Sequence, residues 1–132
     1  MKGYIVNLEQ VTRQNNDFRR VLYTAKFSQL VLMSIKPGEE IGEEVHALDQ
    51  SIRIEAGEGK AVLDGVEHKV KGDDAVVIPA GTKHNVINTS KSSDMKLYTI
   101  YSPPEHRDGV VHGSKADALQ DTSDEFDGKT TE

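Results

Sequence analysis

The stretch Asp73-Asp74-Ala75-Val76-Val77-Ile78-Pro79-Ala80-Gly81-Thr82-Lys83-His84-Asn85-Val86-Ile87-Asn88 decides how this sequence is read. Two short apolar runs rich in β-branched residues lie on either side of Pro79-Ala80-Gly81, a turn signal, and neither run is long enough for a helix. The reading is strand, tight turn, strand. Because side chains alternate faces along a strand, His84 shares a face with Val86 and Asn88.

The same pattern extends in both directions. RRVLYT (19–24), LVLMSI (30–35), QSIRIEAG (50–57), KAVLDG (60–65) and KLYTIY (96–101) are short runs with β-branched or aromatic residues. Pro37-Gly38, Gly57-Glu58-Gly59 and Pro103-Pro104 punctuate them. Asp64-Gly65, between KAVL and VEHKV, is a two-residue hairpin signal, since Gly accepts the positive φ such turns need. Closely spaced turns without intervening helices predict an all-β antiparallel sandwich or barrel, not a parallel α/β sheet. Helix is expected only near the end, where Ser114-Lys115-Ala116-Asp117 forms a capping box opening a helix through about Gln120. Beyond it, DTSDEFDGKTTE reads as a flexible acidic tail. The expected organisation is one β domain over 1–113, then a short helix and tail over 114–132.

Composition narrows the chemistry. At 132 residues the chain fits one domain. With no cysteine there are no disulfides, thiolate metal sites or thiol nucleophiles. No apolar run reaches the length of a membrane span, and MKGYIVNLEQ lacks the apolar centre of a secretory leader, so a cytoplasmic protein is expected. The net charge of -6 argues against a nucleic-acid partner. Most of that charge belongs to residues 117–132, which hold six acidic groups and one basic group. The rest of the chain is nearly neutral.

Chemistry therefore falls to histidines and carboxylates, and these concentrate in 38–57 and 73–88. Strand alternation lets Glu44 and His46 point the same way, while Gln50 shares a face with Ile52 and Ile54. Glu44, His46 and His84 together make a two-histidine, one-carboxylate set suited to Fe, Mn, Ni or Zn as the divalent ion. A carboxylate turned into a barrel needs a compensating cation, because burying it alone costs several kcal/mol. Elsewhere, His68 reads as solvent-facing and Asn88 as a turn-bonding residue. Tyr98 and Tyr101 fall on opposite faces, with core packing the first reading for both. Residues 102–112, with His106, Arg107 and His112, read either as a lid over the barrel mouth or as a C-terminal wrap. The wrap, pairing a strand edge and burying Val110 and Val111, is the favoured reading. The early strands 19–35 pair within the chain or across a subunit boundary.

The spacing of the two motifs resembles that of the cupin superfamily. The first cupin motif, G, five residues, H-x-H, three or four residues, E, six residues, G, is matched in every interval from Gly38 to Gly57, with Glu44 at the first His and Gln50 at the Glu. The second, G, five residues, P-x-G, two residues, H, three residues, N, is matched at Pro79, Gly81, His84 and Asn88, with Asp73 at its first Gly. The resemblance covers roughly Ile35 to Tyr101. It implies a small double-stranded β-helix barrel, jelly-roll-like, holding one divalent metal through Glu44, His46, Gln50 and His84. That mixture is similar to the zinc site of phosphomannose isomerases, and the chain resembles mannose-6-phosphate isomerase-like cupins. The leading implied function is sugar or sugar-phosphate isomerisation on a small-molecule ligand, with His106 and Tyr101 as acid/base candidates. A mononuclear iron dioxygenase and a non-catalytic binding module are the alternatives. Cupins commonly dimerise, so a homodimer is expected.

Overall fold

The computed structural model describes residues 1–132. Its elements run α1 (Leu8–Gln14), β1 (Arg19–Thr24), β2 (Gln29–Ile35), β3 (Asp49–Ala56), β4 (Glu58–Leu63), β5 (Val66–Lys71), β6 (Ala75–Ile78), β7 (His84–Asn88), β8 (Met95–Ser102), β9 (Val111–His112) and α2 (Lys115–Gln120). The strands form two sheets, one of six in the order β6-β3-β8-β2-β1-β9 and one of three in the order β5-β4-β7. All pairings are antiparallel, as the turn spacing implies. The sheets share one core, with Val31, Met33, Ile52, Ile54 and Leu97 from the larger meeting Ala61, Val70 and Val86 from the smaller. Burying each large aliphatic there contributes about 1.5–3 kcal/mol, which is why inward positions alternate so strictly along β7 and β8.

Two local features shape the smaller sheet. Leu63 pairs Val66 across Asp64 (φ 47°) and Gly65 (φ 83°), the two-residue hairpin read from the sequence. Gly59 lies where β4 meets β7, and a Cβ there would fall 2.0 Å from the Ile87 carbonyl oxygen. Asp73, standing where the cupin motif has Gly, adopts φ 76°. The position requires left-handed backbone, which Asp tolerates better than most side chains.

Helix is not confined to the C-terminus: α1 opens with Asn7 accepting from the Gln10 backbone N–H at 3.1 Å. Thr12 is buried, and Arg13 donates to the Glu55 carbonyl at 2.8 Å. The early strands pair inside the chain, β1 with β2 on one side and with β9 on the other. The C-terminal wrap pairs that strand edge, but it buries Val110 and His112 and leaves Val111 half exposed. Residues 121–132, read as a flexible tail, lie along the body. Phe126 donates to the Glu105 carbonyl at 3.0 Å, Thr131 to the Thr24 carbonyl at 2.9 Å, and Tyr23 to the Glu132 carboxylate. Helix α2 begins at its Ser114 cap as read, with Asp117 N–H donating to the Ser114 hydroxyl at 3.1 Å. No helix is long and apolar enough to cross a membrane.

Candidate metal centre

The backbone fixes the site before any side chain does. Glu44 and His84 exchange two backbone hydrogen bonds of 2.9 Å, and Gly81 donates to the His46 carbonyl at 2.8 Å. These bonds hold the 42–46 loop against the start of β7. From the other side, Leu63 of β4 pairs His84. The hairpin tip then grips the preceding residue: Asp64 N–H donates to the Lys83 carbonyl at 2.7 Å, and Lys83 N–H donates to Asp64 Oδ1 at 2.9 Å.

Glu44, His46 and His84 each offer one ligand atom, and the three atoms lie within 4.8 Å of one another. His84 Nδ1 donates to the Thr82 carbonyl at 2.9 Å, which fixes the tautomer and leaves the Nε2 lone pair free. Glu44 Oε2 lies 2.7 Å from His46 Nε2, an ion-pair distance when the ring is protonated, although the contact lacks hydrogen-bond geometry. With Nε2 unprotonated, its lone pair faces a carboxylate lone pair, an arrangement that either a proton or a cation relieves. Burial works to raise the Glu44 carboxyl, but His46, Arg19 and His84 more than offset it and hold the group below the usual carboxylate range. His46 is raised in return, chiefly by Glu44 and against the effect of burial.

Gln50, on β3 opposite Tyr101, donates through Nε2 to the Thr99 hydroxyl at 3.0 Å. Its Oε1 is buried with no hydrogen-bond partner. Two imidazole nitrogens and one carboxylate fit a divalent transition metal by chemistry, and the Gln50 amide oxygen is a buried acceptor without a hydrogen-bond partner.

A cavity of about 410 Å³ is lined by Glu44 and His46 of this centre together with Phe18, Arg19, Glu105 and His106. The His106 side chain is buried beside the cavity. Its Nδ1 donates to Asp124 at 3.1 Å and its Nε2 lies 3.4 Å from the Tyr101 hydroxyl. Burial lowers the His106 pKa against the pull of Asp124, favouring the neutral ring. Tyr101 is buried, edge-on to both His46 (centroids 5.9 Å apart) and His106 (5.2 Å). Burial drives its phenol far above the ordinary range.

Other residues fall differently from the sequence reading. His68 is exposed as expected, and Asn88 bonds backbone at Ile35 and Ser93, both at 2.9 Å. His112 is no lid residue, since it is buried with Nε2 2.9 Å from Asp121. The sequence reading missed Arg19, Glu105, Asp121 and Asp124, all of which line the cavity. Only Arg19 left a trace, an inward position two residues before the buried Val21. Glu105 lies 3.6 Å from His46 Nδ1, and burial raises its carboxyl above the usual range.

This fold, with its donors in cupin-motif positions, defines a cupin-type β domain with a candidate metal centre. The cupin domain family matches residues 31–101, and the chain belongs to that family. It is 46% identical over 125 residues to the uncharacterized protein YrkC of Bacillus subtilis, covering 89% of this chain and 67% of that one. It is 45% identical over 112 residues to the uncharacterized protein L612 of Acanthamoeba polyphaga mimivirus, covering 82% and 70%. The crystal structure of BH2720 from Bacillus halodurans superposes with a TM-score of 0.88 at 42% identity, covering 91% of this chain and 96% of that one.

Proposed function

We propose that this cupin binds one divalent transition-metal ion through Glu44, His46 and His84, with the Gln50 amide oxygen as fourth donor, and acts on a small polar metabolite. The convergence of ligand atoms from Glu44, His46 and His84 carries this reading, supported by the buried Gln50 Oε1, which has no hydrogen-bond partner. A metal there would act as a Lewis acid on an oxygen of the ligand. The chain's own part is to orient that ligand and move protons. Glu105, raised by burial and bordering the cavity beside His46, is suited to take a proton from carbon or hydroxyl and return it. His106, oriented by Asp124 and with its Nε2 3.4 Å from the Tyr101 hydroxyl, is the second titratable group at the cavity. Two such groups beside a metal favour proton-transfer isomerisation, with a sugar or sugar phosphate as the leading substrate class. The Tyr101 hydroxyl serves to hold His106 rather than to titrate.

A second reading, a mononuclear iron dioxygenase, is favoured by the two-histidine, one-carboxylate composition. Oxygen uptake by the iron-loaded protein on addition of a candidate substrate separates the two. The same reading takes the chain to be a cytoplasmic homodimer without nucleic-acid or membrane partners. Elemental analysis of protein purified without added metal tests the centre itself. About one equivalent is expected. Less than about a tenth, unrestored by Mn, Fe, Ni or Zn, rejects it.

A further inference from the structure

Resting on that metal-site reading and extending it to the ligand, we propose that Arg19 is the anion-binding residue of the cavity. It would receive a carboxylate or phosphate group of a molecule whose other end meets the metal.

Arg19 projects inward from β1, opposite Met33 on β2 and His112 on β9, and is 7% exposed. It lines the same cavity as Glu44 and His46. A guanidinium carries five N–H donors and no acceptor, and a buried one ordinarily has most of them bonded. Here Nε is buried with no partner. Nη1 lies 3.3 Å from His112 Nδ1 and 3.8 Å from Asp124 Oδ2, the second beyond hydrogen-bond length. The neighbouring carboxylates are engaged elsewhere. Asp121 takes His112 at 2.9 Å along with the Ser123 N–H and hydroxyl, and Asp124 takes His106 at 3.1 Å.

A charge buried with so few of its donors used is unfavourable unless something completes it. The matching group is planar or tetrahedral oxyanion, which accepts two parallel N–H bonds from the guanidinium fork. The ring of Phe18, 5.3 Å from the guanidinium carbon, restricts the side chain on one side. Lys115, also on the cavity wall, adds a second positive charge, while Glu44, Glu105, Asp121 and Asp124 line the same cavity. The anion must therefore be held at the guanidinium itself and not by the cavity's overall charge. The ligand so described is a small organic acid or phosphate ester with a chelating oxygen, not a neutral sugar. If Arg19 were only a structural partner of Asp124, replacing it would change stability without changing anion affinity.

Calorimetric titration of the full chain, metal-free and metal-loaded, with inorganic phosphate and with malonate separates these roles and the two oxyanion sources. Wild type is expected to bind at least one of them with millimolar or tighter affinity. Arg19→Gln should weaken that binding at least about tenfold, while Arg19→Lys, which keeps the charge and loses the fork, should fall between. The metal-free protein should retain weaker, Arg19-dependent anion binding, so a failure to bind metal leaves this arm readable. Equal affinity in wild type and Arg19→Gln would overturn the proposal. So would the absence of heat with either anion up to about 20 mM, well above the range of a weak specific site. Should Arg19→Gln fail to fold, unchanged affinity in Arg19→Lys for both anions decides against it.

Discussion

Two histidine–carboxylate clusters occupy this small fold, and by spacing alone they look alike. Glu44, His46 and His84 bring three ligand atoms within 4.8 Å of one another, and so do His112, Asp121 and Asp124. They differ in what their lone pairs are doing. In the first, His46 Nε2 faces Glu44 at 2.7 Å without hydrogen-bond geometry, and His84 has its Nδ1 proton tied to a carbonyl so that Nε2 is free. In the second, His112 is bonded to Asp121 on one ring nitrogen and to Arg19 on the other, and Asp124 is bonded to His106. Proximity of ligand-type residues thus does not make a metal centre. Unspent donor capacity does.

The sharpest way to break this contrast is to remove one ligand from each cluster. His84→Ala should lower metal affinity at least about 100-fold, since even supporting residues around a metal are worth 10–100-fold. Metal content after dialysis measures it, with circular dichroism confirming that the sheets persist. His112→Ala should leave metal content unchanged yet cost about 2–4 kcal/mol in urea unfolding, because it empties a packed position and strands Asp121. Metal loss in His112→Ala would erase the distinction.

Acidity gives the next contrast, read by hydrogen exchange on metal-free protein. His46 is raised in the fold, so its contribution is complete below about pH 6.5 and is lost as pH rises through its folded value. Alkaline pH should therefore loosen residues 42–46 first. Asp121 and Asp124 are lowered, chiefly by His112 and His106 respectively, so their contribution is present above about pH 4 and lost as pH falls through their folded values. His106, lowered by burial, begins the same acid loss near pH 6.5. Acid should therefore loosen residues 105–124 first. The smallest effect is expected from Asp64→Ala, which frees Lys83 at the hairpin tip. It should cost about 1 kcal/mol of stability and weaken metal binding several-fold without abolishing it.

What was legible in the sequence follows from how far each contact reaches along the chain. His84, the turn before it and the Asp64-Gly65 hairpin are local, so period-two alternation and turn chemistry placed them. Glu44 and His46 were found through motif spacing, although they lie in a loop pinned by backbone bonds and not on a regular strand. Arg19 and Asp124 meet because the C-terminal segment returns past β1, whose pairing with β9 involves only two residue pairs. So brief a pairing leaves almost no periodic signal. Helix α1 escaped for a related reason: Leu8 and Val11 are its only large apolar residues, and its cap, Asn7 with Gln10, is the one local mark it left.

One consequence concerns how such a pocket changes over generations. The metal-side donors all fall within residues 31–101, while Arg19, Glu105, His106 and Asp124 come from outside that stretch. Drift in the flanking segments can reshape what the cavity accepts without disturbing the atoms that would hold the ion. Grafting residues 105–124 from a homologue would then be a direct route to chimeras of altered ligand preference and unaltered metal handling.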